Sequence, residues 1–304
     1  KRLAVVLDKS IQMRGLETKI FLPDAGSIQN IYGCERFQKD NPNSREDAAF
    51  NQLYAFFDPA SKDYIGDLKT LARQIGAHSY HTHLKNGQLR EVRERAAKEA
   101  QKYGVEFHQT EWCFLGFYAD PKKLDGFTAD WKTKNYADMQ TALHMAKIIY
   151  ADLVFGGARS WSYWVATELR DGICALIDAE GFVEDAKKGR EMRPNKLLWA
   201  LGNYSFFIRP GYDRVSLEGA EDLDGVIASA YASPDGGKIV AVFVNFKHGE
   251  VAAKVSLKTS GAKLSGVYKT DDRSDLALVK FSPESGCVEL VPRSVTTAVW
   301  TVRE

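Results

Sequence analysis

Along the first half of the chain the apolar positions repeat one grammar: a stretch of helical periodicity, a glycine or turn, then a short β-rich run. Residues 3–16 place Leu3, Val6, Leu7, Ile11 and Met13 close to a 3.6-residue spacing and pass through Gly15 into the run at 18–22. Residues 64–74 predict a second helix, leading into the run at 76–81. A third, over 88–103, is rich in Glu, Arg, Lys and Ala, stops at Gly104 and delivers a strand over 105–111. The fourth spans 136–155, ends at Gly156-Gly157 and precedes the run at 158–164. Helices alternating with strands in this way predict βαβ units and a parallel sheet.

The texture then changes. A last helix, over 195–207, is stopped by Arg209-Pro210-Gly211. Beyond it come short β runs at 225–228, 238–244, 251–257 and 295–302, with Ser233-Pro234-Asp235-Gly236-Gly237 as a hairpin turn. Residues 29–61 form a long polar and aromatic insertion after the first strand, of a length that usually serves function.

Four βα units are half of what a closed (β/α)8 barrel requires, and an open half exposes two sheet edges and an apolar interior. The expected class is therefore α/β plus all-β. The second half of a (β/α)8 TIM barrel is expected over residues 1–210, preceded in the full protein by its N-terminal half. An antiparallel β-sandwich domain follows over 211–304. A doubly wound four-strand domain is the alternative arrangement of the same units.

Charge narrows the partners. Among 304 residues, 41 basic and 40 acidic side chains leave a net charge of +1, which lacks the footprint needed for nucleic acid or an anionic membrane surface. No apolar run approaches the roughly 18 residues of a membrane span. Cys34, Cys113, Cys174 and Cys287 are scattered, with neither C-x-x-C spacing nor histidine partners, so no disulfide framework, metal site or cofactor is expected.

Candidate chemistry gathers at the strand ends. Catalytic groups of parallel barrels sit there, and a carboxylate in that position is costly unless the site uses it. Glu111 ends the third run; its bland reading is a loop cap or a partner for a lysine. Neighbouring ends supply His78, Tyr80, His81 and His83, and then Trp161, Tyr163 and Trp164. Aromatic faces stack on sugar rings, while His and Tyr bond to hydroxyls. Two of the three histidines read as loop or core groups. Trp161 and Trp164, three apart, should face opposite ways, with one in the core; Trp131, Trp199 and Trp300 read as packing. No phosphate loop, G-x-S-x-G elbow or H-E-x-x-H helix supports a rival chemistry.

Four motifs, Ala77-His78-Ser79-Tyr80, Gln109-Thr110-Glu111-Trp112-Cys113, Trp161-Ser162-Tyr163-Trp164 and the segment 196–211 beginning Lys196-Leu197-Leu198-Trp199, resemble glycoside hydrolase family 30 in order and spacing. The resemblance covers nearly the whole chain apart from residues 29–61 and 178–193. It implies that Glu111 is a catalytic nucleophile with His78 and Tyr80 beside it. It also implies that Cys113 lines the pocket and that Trp161 and Trp164 contribute to the sugar subsite. The four strands then become the fifth to eighth of the barrel.

The family's acid/base is a Glu in an Asn-Glu-Pro motif after the fourth strand, and that tripeptide is absent from this sequence. Retaining hydrolysis needs two carboxylates about 5 to 5.5 Å apart. Asp24, Asp120 and Glu168 read as loop or capping residues, so the second carboxylate is expected from the upstream half. The resemblance thus implies an exported bacterial retaining endo-β-glycanase or β-glycosidase acting on a β-linked oligo- or polysaccharide. Asp171-Gly172-Ile173 and Leu198-Trp199-Ala200-Leu201-Gly202-Asn203 look most like the β-1,6-galactanase and β-1,6-glucanase branches. A β-1,4-xylanase and a non-catalytic carbohydrate-binding relative are the alternatives.

Overall fold

Three strands run parallel in the order of the sequence: β1 (Asp24–Ala25), β2 (Gln74–His78) and β3 (Glu106–Glu111). Side chains alternate along them. Ile75 and Ala77 of β2 and Phe107 of β3 face one side, where they pack with Ala25 into an apolar core. The computed structural model describes residues 1–33, 50–114, 138–168, 175–178, 192–283 and 286–302. Cys34, Asp120, Trp131, Asp171, Gly172, Ile173 and Cys174 lie outside the described residues.

Contacts divide the chain into two units, Lys1–Trp112 with Ala151–Tyr163, and Cys113–Tyr150 with Trp164–Glu304. In the first, the helices are α1 (Arg2–Met13), α2 (Gln29–Tyr32), α3 (Gln52–Phe57) and α4 (Asn86–Lys102). A further helix, α5 (Met139–Val154), contributes its last turn. Ile31 and Tyr32 of α2, Leu53, Phe56 and Phe57 of α3, and Val92, Ala96 and Ala100 of α4 complete the core. Gly104 ends α4 with φ +60°, a conformation open to glycine, and turns the chain into β3. The segment after α5 joins β3 through a parallel bridge between Gln109 and Trp161, with Gln109 N donating to Ser160 O at 3.1 Å.

Several expectations are corrected. Residues 64–73 form turns and a bridge at Leu71 rather than a helix, and Gln74 already opens β2, although Ile65, Leu68 and Leu71 are spaced like a helical stripe. Thr70 is the reason: its carbonyl accepts from Ile20 N at 2.8 Å and its amide donates to Asp8 Oδ1 at 2.8 Å, so neither group serves a helix. The helices between β1 and β2 instead lie in what the sequence presents as an insertion, where Asn51 caps α3 by accepting from Tyr54 N. The run at 18–22 supplies only the bridge Ile20 to Leu71, and regular pairing starts at Asp24. On α1, Ala4, Asp8 and Ile11 are buried, whereas Leu3, Val6, Leu7 and Met13 are exposed.

In the second unit a six-stranded antiparallel sheet is formed by β7 (Asp213–Val215), β8 (Val226–Ala232), β9 (Lys238–Asn245), β11 (Ala262–Thr270), β12 (Ala277–Leu278) and β14 (Ser294–Val302). Their order is β12-β11-β14-β9-β8-β7. Strands β10 (Val251–Lys254) and β13 (Cys287–Leu290) pair separately, and their apolar residues share one core with the large sheet, centred on Phe243, Leu264, Val288, Leu290 and Trp300. The hairpin between β8 and β9 turns at Ser233–Gly237, with Ser233 N donating to Lys238 O. Three two-residue strands, β4 (Thr167–Glu168), β5 (Ile177–Asp178) and β6 (Arg193–Pro194), form a small mixed sheet.

Helix α6 (Lys196–Ser205) begins at Asn195, whose side chain accepts from Leu197 N. Its buried Asn203 bonds Thr270 Oγ1 of β11 at 2.7 Å and accepts from Thr297 Oγ1 of β14, by Oδ1 at 2.9 Å and by its carbonyl at 2.7 Å. Among the described residues no helix is long and apolar enough to cross a membrane.

Candidate active site

Strict alternation would turn Glu111 away from Thr110 and His108 toward the core. The pairing of β2 with β3 slips between Ala77 and His78, so that Ala77 lies opposite Gln109 and His78 opposite Glu111. One extra residue in β3 re-aims the side chain at the strand's end, a common use of a β-bulge. Glu111 thereby comes onto the face that carries His78.

The His78 imidazole stands between two carboxylates. Its Nδ1 is 3.4 Å from Glu111 Oε1 and its Nε2 is 3.6 Å from Asp24 Oδ2. The side chains of His78, Glu111 and Asp24 are 21%, 25% and 55% exposed, so the group is open on one side. Tyr80 meets His78 edge to face at 5.8 Å, and His81 follows with φ +61°.

Asp24 is not the loop or capping residue expected. It pairs with Gly76 in β1 and accepts from Thr110 Oγ1 at 2.6 Å. Strands lie about 4.8 Å apart, so this bond crosses the whole of β2. It can do so because position 76 has no side chain: a Cβ there would sit 2.8 Å from Asp24 Oδ1 and 2.9 Å from Thr110 Cγ2. Asp24 and Glu111 thus rise from one face of one sheet.

Beneath the strand ends the polar groups are buried. Arg93 and Asp152 form an ion pair at 2.7 Å, fully enclosed, and Asp152 Oδ2 accepts from Ser79 Oγ and from Trp161 Nε1, each at 2.9 Å. Burial raises the Asp152 carboxyl above its ordinary range, opposed by Arg93 and by these hydrogen bonds. His83 Nδ1 lies 3.1 Å from Ser79 O, and burial pushes its imidazole down to about 3, which keeps it neutral. It therefore donates to that carbonyl.

Trp112 is buried against His83, Trp161 and Tyr163, with ring centroids 5.8, 6.3 and 6.1 Å away. Trp161 is half-buried within this packing. Cys113 and Trp164 belong to the second unit, where Cys113 is buried and Trp164 is 51% exposed; the bond between Trp164 and Val165 is cis. The first unit thus brings together His78, Tyr80, Glu111 and, below them, Trp161. Asp24, Thr110, Ser79, Arg93 and Asp152 were missed as site residues. One signal was available for the last pair, since each is a charge on a helix face otherwise buried.

Residues 1–177 match the family described as O-Glycosyl hydrolase family 30. Among solved structures, the chain is similar to a conserved exported protein from Bacteroides fragilis, at 24% identity and a TM-score of 0.79 over 98% of this chain and 58% of that one. It is also similar to the catalytic domain of a family 30 xylanase C from Talaromyces cellulolyticus (20% identity, TM-score 0.62, 97% and 55% coverage). A family 30 subfamily 8 xylanase from Clostridium acetobutylicum aligns at 18% identity with a TM-score of 0.58 over 93% and 56%. The chain therefore spans less than two thirds of the length of these structures, and at such identities the likeness is one of fold. The family match is different in kind, because it covers more than half of the chain and contains β1 to β3 with Asp24, His78 and Glu111. The chain belongs to O-glycosyl hydrolase family 30.

Proposed function

We propose that this chain is the C-terminal part of a retaining β-glycosidase that hydrolyses a β-linked oligo- or polysaccharide. On this reading residues 1–210 are the second half of a (β/α)8 barrel, whose first half is supplied upstream in the same protein, and residues 211–304 are a β-sandwich domain. The observation that carries it is the bulge that presents Glu111 to His78 on the open face of the parallel sheet. A carboxylate held there by an imidazole, with Tyr80 beside it, is oriented as a nucleophile should be.

Glu111 attacks the anomeric carbon while an upstream carboxylic acid protonates the departing glycosidic oxygen, leaving a glycosyl ester on Glu111. The upstream residue, now a carboxylate, takes a proton from water, and the hydroxide displaces Glu111 with the original anomeric configuration restored. His78 holds the Glu111 carboxylate in register and Asp24 holds His78. Cys113, Trp161 and Trp164 are proposed to line the sugar subsites. The balanced charge suits a neutral glycan, and a solved structure of the same fold described as exported supports an exported bacterial protein. The β-1,6-linked glycans suggested by the sequence and the β-1,4-xylans suggested by the xylanase structures are both candidate substrates.

The test is product analysis on a panel of β-glycans with the full-length protein and its Glu111→Gln variant. Hydrolysis with retained configuration by the parent, abolished in the variant while sugar binding persists, is expected. Hydrolysis at parental rate in the variant would remove Glu111 from the nucleophile role, and sugar binding without hydrolysis by the parent would make the protein a carbohydrate-binding relative.

A further inference from the structure

The Arg93–Asp152 pair has no place in the chemistry described for Glu111, yet every polar atom of the Asp152 carboxylate is engaged. Oδ1 takes Arg93 Nε at 2.7 Å; Oδ2 takes Ser79 Oγ and Trp161 Nε1, each at 2.9 Å. Arg93 Nη1 donates onward to the carbonyls of Thr82 and Leu89 at 3.0 and 3.1 Å. A buried ion pair adds little stability by itself, because desolvating two charges cancels much of their attraction. What this one supplies is direction.

Ser79 is where the direction is delivered. It comes directly after His78 in sequence, and its amide donates to the Glu111 carbonyl at 3.1 Å. Its own carbonyl lies 3.2 Å from Thr82 Oγ1 and 3.1 Å from His83 Nδ1, so the residue is held at amide, hydroxyl and carbonyl. The Glu111 to His78 separation of 3.4 Å is an ion-pair distance with no aligned hydrogen bond behind it, so the main chain has to hold it. A drift of half an ångström at Ser79 would open it.

We propose that Asp152 is the positioning residue of the site: through Ser79 it fixes the main chain that holds Glu111 against His78, and through Trp161 it fixes the neighbouring strand end, without itself touching the sugar. This rests on the reading of Glu111 as the nucleophile.

The experiment compares the full-length protein with Ser79→Ala, Asp152→Asn, Trp161→Phe, the double variant Ser79→Ala/Asp152→Asn and Glu111→Gln. Crystal structures of the first two accompany kcat and KM. Ser79→Ala removes one hydrogen bond from a folded protein, which keeps the test open if Asp152→Asn fails to fold. Expected is a loss of about 10- to 100-fold in kcat for Ser79→Ala and Asp152→Asn, with KM within about twofold. The double variant should be no worse than Asp152→Asn, and Glu111 should stand more than 4 Å from His78 in the crystals. Wild-type kcat in Ser79→Ala, or an unchanged 3.4 Å contact in its crystal, would overturn the role of Asp152. Should Glu111→Gln keep parental activity, or the parent hydrolyse nothing, the nucleophile reading falls separately. The crystals then decide whether Asp152 positions Glu111.

Discussion

His78 and Glu111 occupy paired register positions at the ends of adjacent parallel strands, and a one-residue slip in that pairing is what puts them on the same face. Without the slip Glu111 would point into the apolar core beside Phe107. The site is therefore made by strand register as much as by residue identity, and each residue that keeps the register useful can be tested by substitution.

Asp24 shares His78 with Glu111 and is itself half-exposed, so its replacement should leave the fold intact. At 3.6 Å and half-exposed, the contact is an ion pair worth up to about 1 kcal/mol, or roughly fivefold in rate. Asp24→Asn should lower kcat by about that factor with little change in melting temperature. A variant as fast as its parent would show that the second carboxylate is idle.

Gly76 lets the Asp24 carboxylate cross β2. An alanine normally improves a strand, but here its methyl would meet Asp24 Oδ1 at 2.8 Å and Thr110 Cγ2 at 2.9 Å. Overpacking of this kind costs about 1–3 kcal/mol. Thermal unfolding of Gly76→Ala should show the loss, together with reduced activity; an unchanged or higher melting temperature would contradict the crossing.

His83 links stability to acidity. Its folded value, about 3, is depressed below the unfolded value near 6.5 by burial, so its contribution is complete above about pH 6.5. As pH falls the unfolded chain takes up a proton that the folded one refuses. Stability is then lost at up to ~1.4 kcal/mol per pH unit until the folded value is reached. His83→Gln keeps a donor for the Ser79 carbonyl and does not titrate. Its denaturant midpoints between pH 7 and 4 should fall less steeply than the parent's, and parallel profiles would refute the assignment.

Asn203 ties α6 to the large sheet through Thr270 and Thr297. Asn203→Ala removes its side-chain bonds inside a buried site and should cost about 1–3 kcal/mol. Hydrogen exchange should quicken along α6 and at the adjoining ends of β11 and β14. Acceleration confined to α6 would mean that helix and sheet open independently.

Elements with strong local grammar are legible in the sequence alone. The charged, alanine-rich α4 with Gly104 behind it, the strand delivering Glu111, and the hairpin at Ser233–Gly237 all lie where periodicity and turn chemistry put them. The stretch at 64–74 misleads because three apolar residues at helical spacing say nothing of whether Thr70 has promised its backbone groups to Ile20 and Asp8. Asp24 escapes notice for a related reason. Its neighbours His78 and Thr110 are 54 and 86 positions away, and nothing local marks a carboxylate that bonds across an intervening glycine. Arg93 and Asp152 leave a fainter trace, as opposite charges on otherwise apolar helix faces, which becomes meaningful only when both faces are known to meet.

The fastening of α6 bears on how such a protein can be divided or inherited. A cut placed at residue 211, where the texture of the sequence changes, would take from Thr297 both of its acceptors, the carbonyl and Oδ1 of Asn203, and bare the part of β11 and β14 that α6 is bonded to. Gene exchange that respects this chemistry has to carry residues 195–210 along with the sheet. A chimaera joined upstream of Asn195 should express as folded protein more readily than one joined at residue 211, because the helix then travels with the sheet it is bonded to.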